Sequence, residues 1–177
     1  MSRHLDELFA YLDKLQGRAS LPQLTAALER CDLDLEDVAR HVRFSERGYQ
    51  RIPLRSGDWY QAWVMCWRNG QRSPIHDHRG SSCGVRVLDG VATETLFEFA
   101  PNGHVKAVAS SDFLPGAVIA SADDDLHQVS NLQAGTADLV TLHVYSPPLL
   151  RMGTYSLTDT SRGSELMIVE FADAAGI

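Results

Sequence analysis

Two histidines one residue apart, His76 and His78 in Pro74-Ile75-His76-Asp77-His78, are the first place where this sequence could hold a metal ion. On an extended strand, residues i and i+2 project to one face, so both imidazoles would meet one cation. Such pairs are common without a ligand role, so a third donor is needed. His127, 49 residues further on within Asp125-Leu126-His127-Gln128-Val129-Ser130-Asn131, supplies the candidate. Asp77 must point away from its neighbours on a strand, which makes it a solvated or outer carboxylate and not a ligand. Three neutral imidazoles suit iron, zinc, copper or nickel, and three histidines plus water are also the hydrolytic zinc set. Thr141, His143 and Tyr145 alternate, so a strand there puts all of them on one face. Read alone, Arg51 is a surface ion-pair residue, Cys83 a small buried thiol, and His143 with Tyr145 a structural hydrogen bond.

The elements that must position these side chains fall into two textures. Leu5, Leu8, Phe9, Leu12 and Leu15 recur at the helical period up to Gly17. Ser20 with Pro22 opens a second helix carrying Leu24, Leu28 and Cys31, and Asp34 caps a third with Leu35, Val38 and Val42 inward. Beyond Tyr49, short apolar runs are broken by Gly and Pro: Trp59–Trp67, Val85–Leu88, Val91–Phe99 after the Asp89-Gly90 turn, Val105–Ala109, Ala117–Ser121, Gln128–Leu132, Leu139–Ser146 and Glu165–Ala172. This pattern predicts a mainly β chain, an antiparallel sandwich or barrel over 49–177 with a helical cap over 1–45, in a single domain over 1–177.

The chain has 177 residues, of which 44% are hydrophobic and 22% charged, enough for one core without staples. Its 23 acidic against 16 basic residues, net charge −7, argue against a nucleic-acid or anionic-membrane footprint. No apolar run approaches the roughly 20 residues that span a bilayer, and the start is too charged for a signal peptide. Three cysteines, Cys31, Cys66 and Cys83, do not make a disulfide framework. These features lead us to expect a cytoplasmic monomer that binds neither nucleic acid nor membrane.

Gly70, five residues, the H-x-H pair, then Cys83, six residues and Gly90 are similar to the first cupin motif, with Cys83 where cupins carry a glutamate ligand. Pro115-Gly116, then His127 and Asn131, resemble the second motif, its middle stretched to ten residues. The resemblance implies a jelly-roll-like antiparallel β-barrel with the metal inside.

Ser73–Cys83, Leu88-Asp89-Gly90, Glu94–Glu98, Thr141–Pro148, Tyr49-Gln50-Arg51 and Cys66-Trp67 together resemble the cysteine dioxygenase family over about residues 49–150. That family oxidises the thiol of L-cysteine to the sulfinic acid with O2 and one non-haem Fe(II) per chain. The resemblance implies that His76, His78 and His127 bind iron and that Arg51, helped by Tyr49, pairs with the cysteine carboxylate. It further implies that His143 hydrogen-bonds Tyr145, that Tyr145 aims its phenol at substrate and oxygen, and that Cys83 is joined to Tyr145 by a thioether. Thr141 stands for the family's serine, Met152 for a second cysteine of animal members, and Gly80 and Ser82 also depart from the pattern. Two alternatives stay open: a dioxygenase for another small thiol acid such as 3-mercaptopropionate, where the family has glutamine at the Arg51 position, and a non-catalytic ligand-binding cupin.

Overall fold

The computed structural model describes residues 2–123 and 125–166. Three helices come first: α1 (Arg3–Leu12), α2 (Leu21–Arg30) and α3 (Leu35–Val38), the last followed by a 3₁₀ turn at Ala39–His41. Their starts follow from side chains that satisfy otherwise unpaired backbone donors. Ser2 accepts from Leu5 N at 3.2 Å, and Asp34 accepts from Glu36 N at 2.8 Å. At α2, the Gln23 side chain accepts from Ser20 N at 2.8 Å.

Eleven strands follow: β1 (Gln50–Gly57), β2 (Tyr60–Trp67), β3 (Ile75–His76), β4 (Ser82–Asp89), β5 (Ala92–Phe99), β6 (Val105–Phe113), β7 (Val118–Ala122), β8 (Leu126–Ser130), β9 (Leu139–Ser146), β10 (Arg151–Tyr155) and β11 (Gly163–Leu166). They form two sheets with orders β1-β2-β9-β4-β7 and β11-β10-β3-β8-β5-β6. Among the described residues the hydrogen-bonded ladders stay separate, so the jelly roll is two facing sheets with no closed barrel ladder. Of the expected final strand, Glu165 and Leu166 lie in β11, and residues 167–172 lie outside the described residues.

The first sheet is covered on both faces, which explains why every position of β2 and β9 is buried. Ala62, Val64, Cys66, Val140, Leu142 and Val144 pack against the helices, whereas Trp63, Met65, Trp67 and Tyr145 face the space between the sheets. The helices dock closely. A Cβ on Gly84 of β4 would sit 2.7 Å from Leu28 Cδ1 of α2. Arg86, also on β4 and buried, donates to Leu28 O at 3.0 Å and to Leu33 O at 2.8 Å, so the sheet satisfies carbonyls at the end of α2.

β1 and β10 escape the periodicity reading. β1 is a half-buried edge strand carrying Pro53 and a register irregularity after it, and Pro is tolerated in sheets at such edges. β10 contains Gly153 where the backbone must approach another group closely. That group is Asp77. Its carboxylate is buried, accepting from Gly153 N at 2.7 Å and Tyr155 Oη at 2.6 Å, so the expectation of a solvated or outer carboxylate is corrected to a buried structural one. Burial, with this bond second, pushes the Tyr155 phenol up to about 12. Asp77 thereby clips β10 to the histidine-bearing segment.

A Cβ at position 153 would land on the Asp77 carboxylate. Gly153→Ala is therefore expected to cost about 1–3 kcal/mol, read from the midpoint of urea unfolding.

Candidate metal centre

His76 ends β3, His127 sits opposite it in register on β8, and His78 lies just past β3. The strand geometry expected for the whole H-x-H segment therefore covers only its first histidine. A turn completes the pairing: Arg79 (φ 39°) and Gly80 (φ 91°) adopt left-handed backbone, and Ser81 N donates to His78 O at 3.0 Å. All three histidines are buried, and their candidate ligand atoms lie within 4.8 Å of one another.

The partners of the outer ring nitrogens decide which nitrogens face inward. His127 Nδ1 lies 2.7 Å from Glu94 Oε1, and His76 Nδ1 lies 3.0 Å from Pro74 O. A carboxylate and a carbonyl only accept, so both Nδ1 atoms carry hydrogen and both Nε2 atoms keep a lone pair. Those Nε2 atoms stand 3.2 Å apart. In the neutral rings this contact is two donor lone pairs aimed at common space. His78 Nε2 is buried with no hydrogen-bond partner. With the His78 proton on Nδ1, 3.5 Å from Ser121 Oγ, its Nε2 adds a third lone pair, and three convergent lone pairs are what a cation requires, so these residues fit a resident metal. Burial, with neighbouring histidines second, pushes His76 down to about 3 and His78 well below the usual range, which keeps both rings neutral as ligands.

A narrow pocket reaches this cluster at His76, and Tyr49, Arg51, Trp67, His143, Tyr145 and Met152 are on its wall. Tyr49 stacks on Trp67 with ring centroids 4.2 Å apart, and the Arg51 guanidinium lies 5.6 Å from the Tyr49 ring centroid. Arg51 Nη2 also donates to Glu165 Oε1 at 2.5 Å, an ion pair across β1 and β11. Trp67 Nε1 of β2 donates to Thr141 Oγ1 of β9 at 3.0 Å, and that hydroxyl lies 2.9 Å from His143 Nε2. His143 Nδ1 is 3.5 Å from Tyr145 Oη, at the outer limit of a hydrogen bond, so Thr141 is its closer partner. Cys83 and Tyr145 are direct cross-strand partners on β4 and β9. Burial pushes both the Cys83 thiol and the Tyr145 phenol far up, which keeps each protonated. Of the departing positions, Met152 lines the pocket and Ser82 Oγ accepts from Arg18 Nε at 2.9 Å.

Sequence reasoning missed two acidic residues here. Glu94 belongs to a quoted motif without an assigned role, and the structure buries it beside Ala92 and Thr93 at the start of β5. It returns to the site, one bond removed from the ligands, the negative charge that three neutral imidazoles lack. Glu165 was read only as the start of a strand.

The family described as cysteine dioxygenase type I matches residues 5–158. The chain belongs to the cysteine dioxygenase type I family. It is thus a thiol dioxygenase, an oxidoreductase with a three-histidine metal-binding group. Among relatives, human cysteine dioxygenase type 1 is 31% identical over 150 residues, 82% of this chain and 72% of the human one. The zebrafish (Danio rerio) enzyme of the same name is 30% identical over 126 residues, covering 68% of this chain and 62% of its own. Solved structures below 25% identity show the same fold. A Thermus thermophilus protein has TM-score 0.53 at 20% identity, over 65% of this chain and 98% of its own. A Klebsiella pneumoniae protein with a double-stranded β-helix domain has TM-score 0.51 at 18% identity, over 73% and 87%. Among the described residues, no helix of this dioxygenase is long and apolar enough to cross a membrane.

Glu94→Gln keeps an acceptor for His127 but removes its charge. In this dioxygenase the change is expected to weaken metal binding about tenfold, measured by competition with a chelator.

Proposed function

We propose that this chain oxidises L-cysteine to cysteine sulfinic acid with O2 at one Fe(II) held by His76, His78 and His127. The observation that carries this reading is the placement of Arg51 on the wall of a pocket that reaches His76. A thiol group directed at the cluster would leave its carboxylate to the guanidinium, which grips carboxylates through paired hydrogen bonds. Iron bound here would acidify a coordinated thiol and bring O2 to the same centre.

The chain's own residues do the rest. Tyr49, stacked between Trp67 and Arg51, fixes the plane from which the guanidinium approaches. Trp67 and Thr141 orient His143, whose neutral ring, pushed to about 3 by burial and the nearby His127, faces Tyr145. Tyr145 keeps its phenolic proton at neutral pH and so presents a donor toward the reacting sulfur and oxygen. The buried wall holds bulk water back from them.

We infer further that Cys83 Sγ becomes bonded to the Tyr145 ring. Each partner loses one hydrogen, and O2, already a co-substrate, accepts the two electrons and two protons. Their cross-strand pairing supports this. The tight docking of α2 on β4 through Leu28, Gly84 and Arg86 supports one cupin domain over 1–177.

Purified protein is expected to contain iron and to form sulfinate from cysteine, whereas His127→Ala should lose the iron and at least about a hundredfold in rate. Faster turnover of 3-mercaptopropionate would replace cysteine by that thiol acid, and no oxygen uptake with either would favour a non-catalytic cupin. Intact mass after turnover should fall by two hydrogens, and the fall should vanish in Cys83→Ala.

A further inference from the structure

The guanidinium assigned to the substrate already has a carboxylate on it. Arg51 and Glu165 meet at 2.5 Å, with side chains only 27% and 35% exposed, so the pair is partly shielded from solvent. Glu165 is carried by β11, where its register partner is Met152 of β10. Met152 lines the pocket that also contains Arg51 and His76, so β11 delivers its carboxylate to the pocket's rim. Among the described residues, the Tyr49 ring beneath the guanidinium and the Tyr145 phenol also lie close to it, and both are neutral at pH 7.

We propose that Glu165 is an internal competitor for Arg51, and that a substrate carboxylate binds by exchanging with it. This rests on the reading of the site as one for cysteine. The exchange sets a threshold. A simple carboxylic acid has only the guanidinium to gain and must displace a carboxylate that is tethered beside it. A thiol acid is also anchored at the histidine cluster, and that second attachment raises the effective concentration of its carboxylate at Arg51. Glu165 therefore selects for ligands that bear both groups, by an element that repels the wrong ligand as well as by one that attracts the right one. A residue that merely fastened β11 to the jelly roll would influence stability, and its loss would not tighten binding of anything.

The test uses the full-length, iron-loaded protein under anaerobic conditions, with calorimetric titration of cysteine and of cysteamine, which has the same thiol and amine but no carboxylate. Glu165→Gln is expected to bind cysteine about three- to fivefold more tightly than wild type, the range set by a partly exposed ion pair. Cysteamine affinity should be the same in both proteins, and propionate should begin to compete with cysteine in Glu165→Gln only. Cysteine affinity that is unchanged or weaker, or an equal gain for cysteamine, overturns the proposal. Restoring air separates the two readings. A wild type that forms no sulfinate refutes cysteine oxidation, whereas a productive wild type with unaltered Glu165→Gln affinity refutes the exchange alone.

Discussion

The hydrogen bond from His127 Nδ1 to Glu94, 2.7 Å long and buried, fixes more than one ring. Together with the bond from His76 to Pro74 O, it forces the remaining lone pairs of the two rings toward each other at 3.2 Å. Like lone pairs held that close in a dry interior raise the energy of the protein unless a cation lies among them. The metal centre is thus imposed by acceptors behind the ligands as much as by the ligands themselves.

Such a constraint needs rigid walls, and the layering supplies them. β9 is buried at every position because helices cover one face and the second sheet the other. Thr141, His143 and Tyr145 therefore project from a strand that is packed on both sides. The opposite wall is held by Asp77, which ties the segment of His76 and His78 to β10 through Gly153 and Tyr155. The more adaptable side is the rim. There Arg51 on the edge strand β1 meets Glu165 on β11, at the other sheet's edge, and both side chains keep some contact with solvent.

Much of this was legible in the sequence for physical reasons. Ligand spacing shows because strand partners must carry the donors to one point, and β2 and β9 show because burial on both faces makes them mostly apolar. What stayed hidden depends on contacts between distant segments. Asp77 reads as solvated because its partner Tyr155 is 78 residues away. Glu94 reads as one polar residue of an alternating strand, since its acceptor role appears only when β8 lies beside β5. Pro53 and Gly153 weaken the strand signal of β1 and β10 for the same reason that those positions are useful: an edge and a close approach.

The central claim, that this cradle and pocket add molecular oxygen to the thiol of cysteine, is tested most directly by running the reaction under isotopically heavy O2 and analysing the product by mass spectrometry. The account predicts cysteine sulfinic acid with both sulfinate oxygens carrying the label. Product oxygens drawn from water, or disulfide as the sole product, would contradict it.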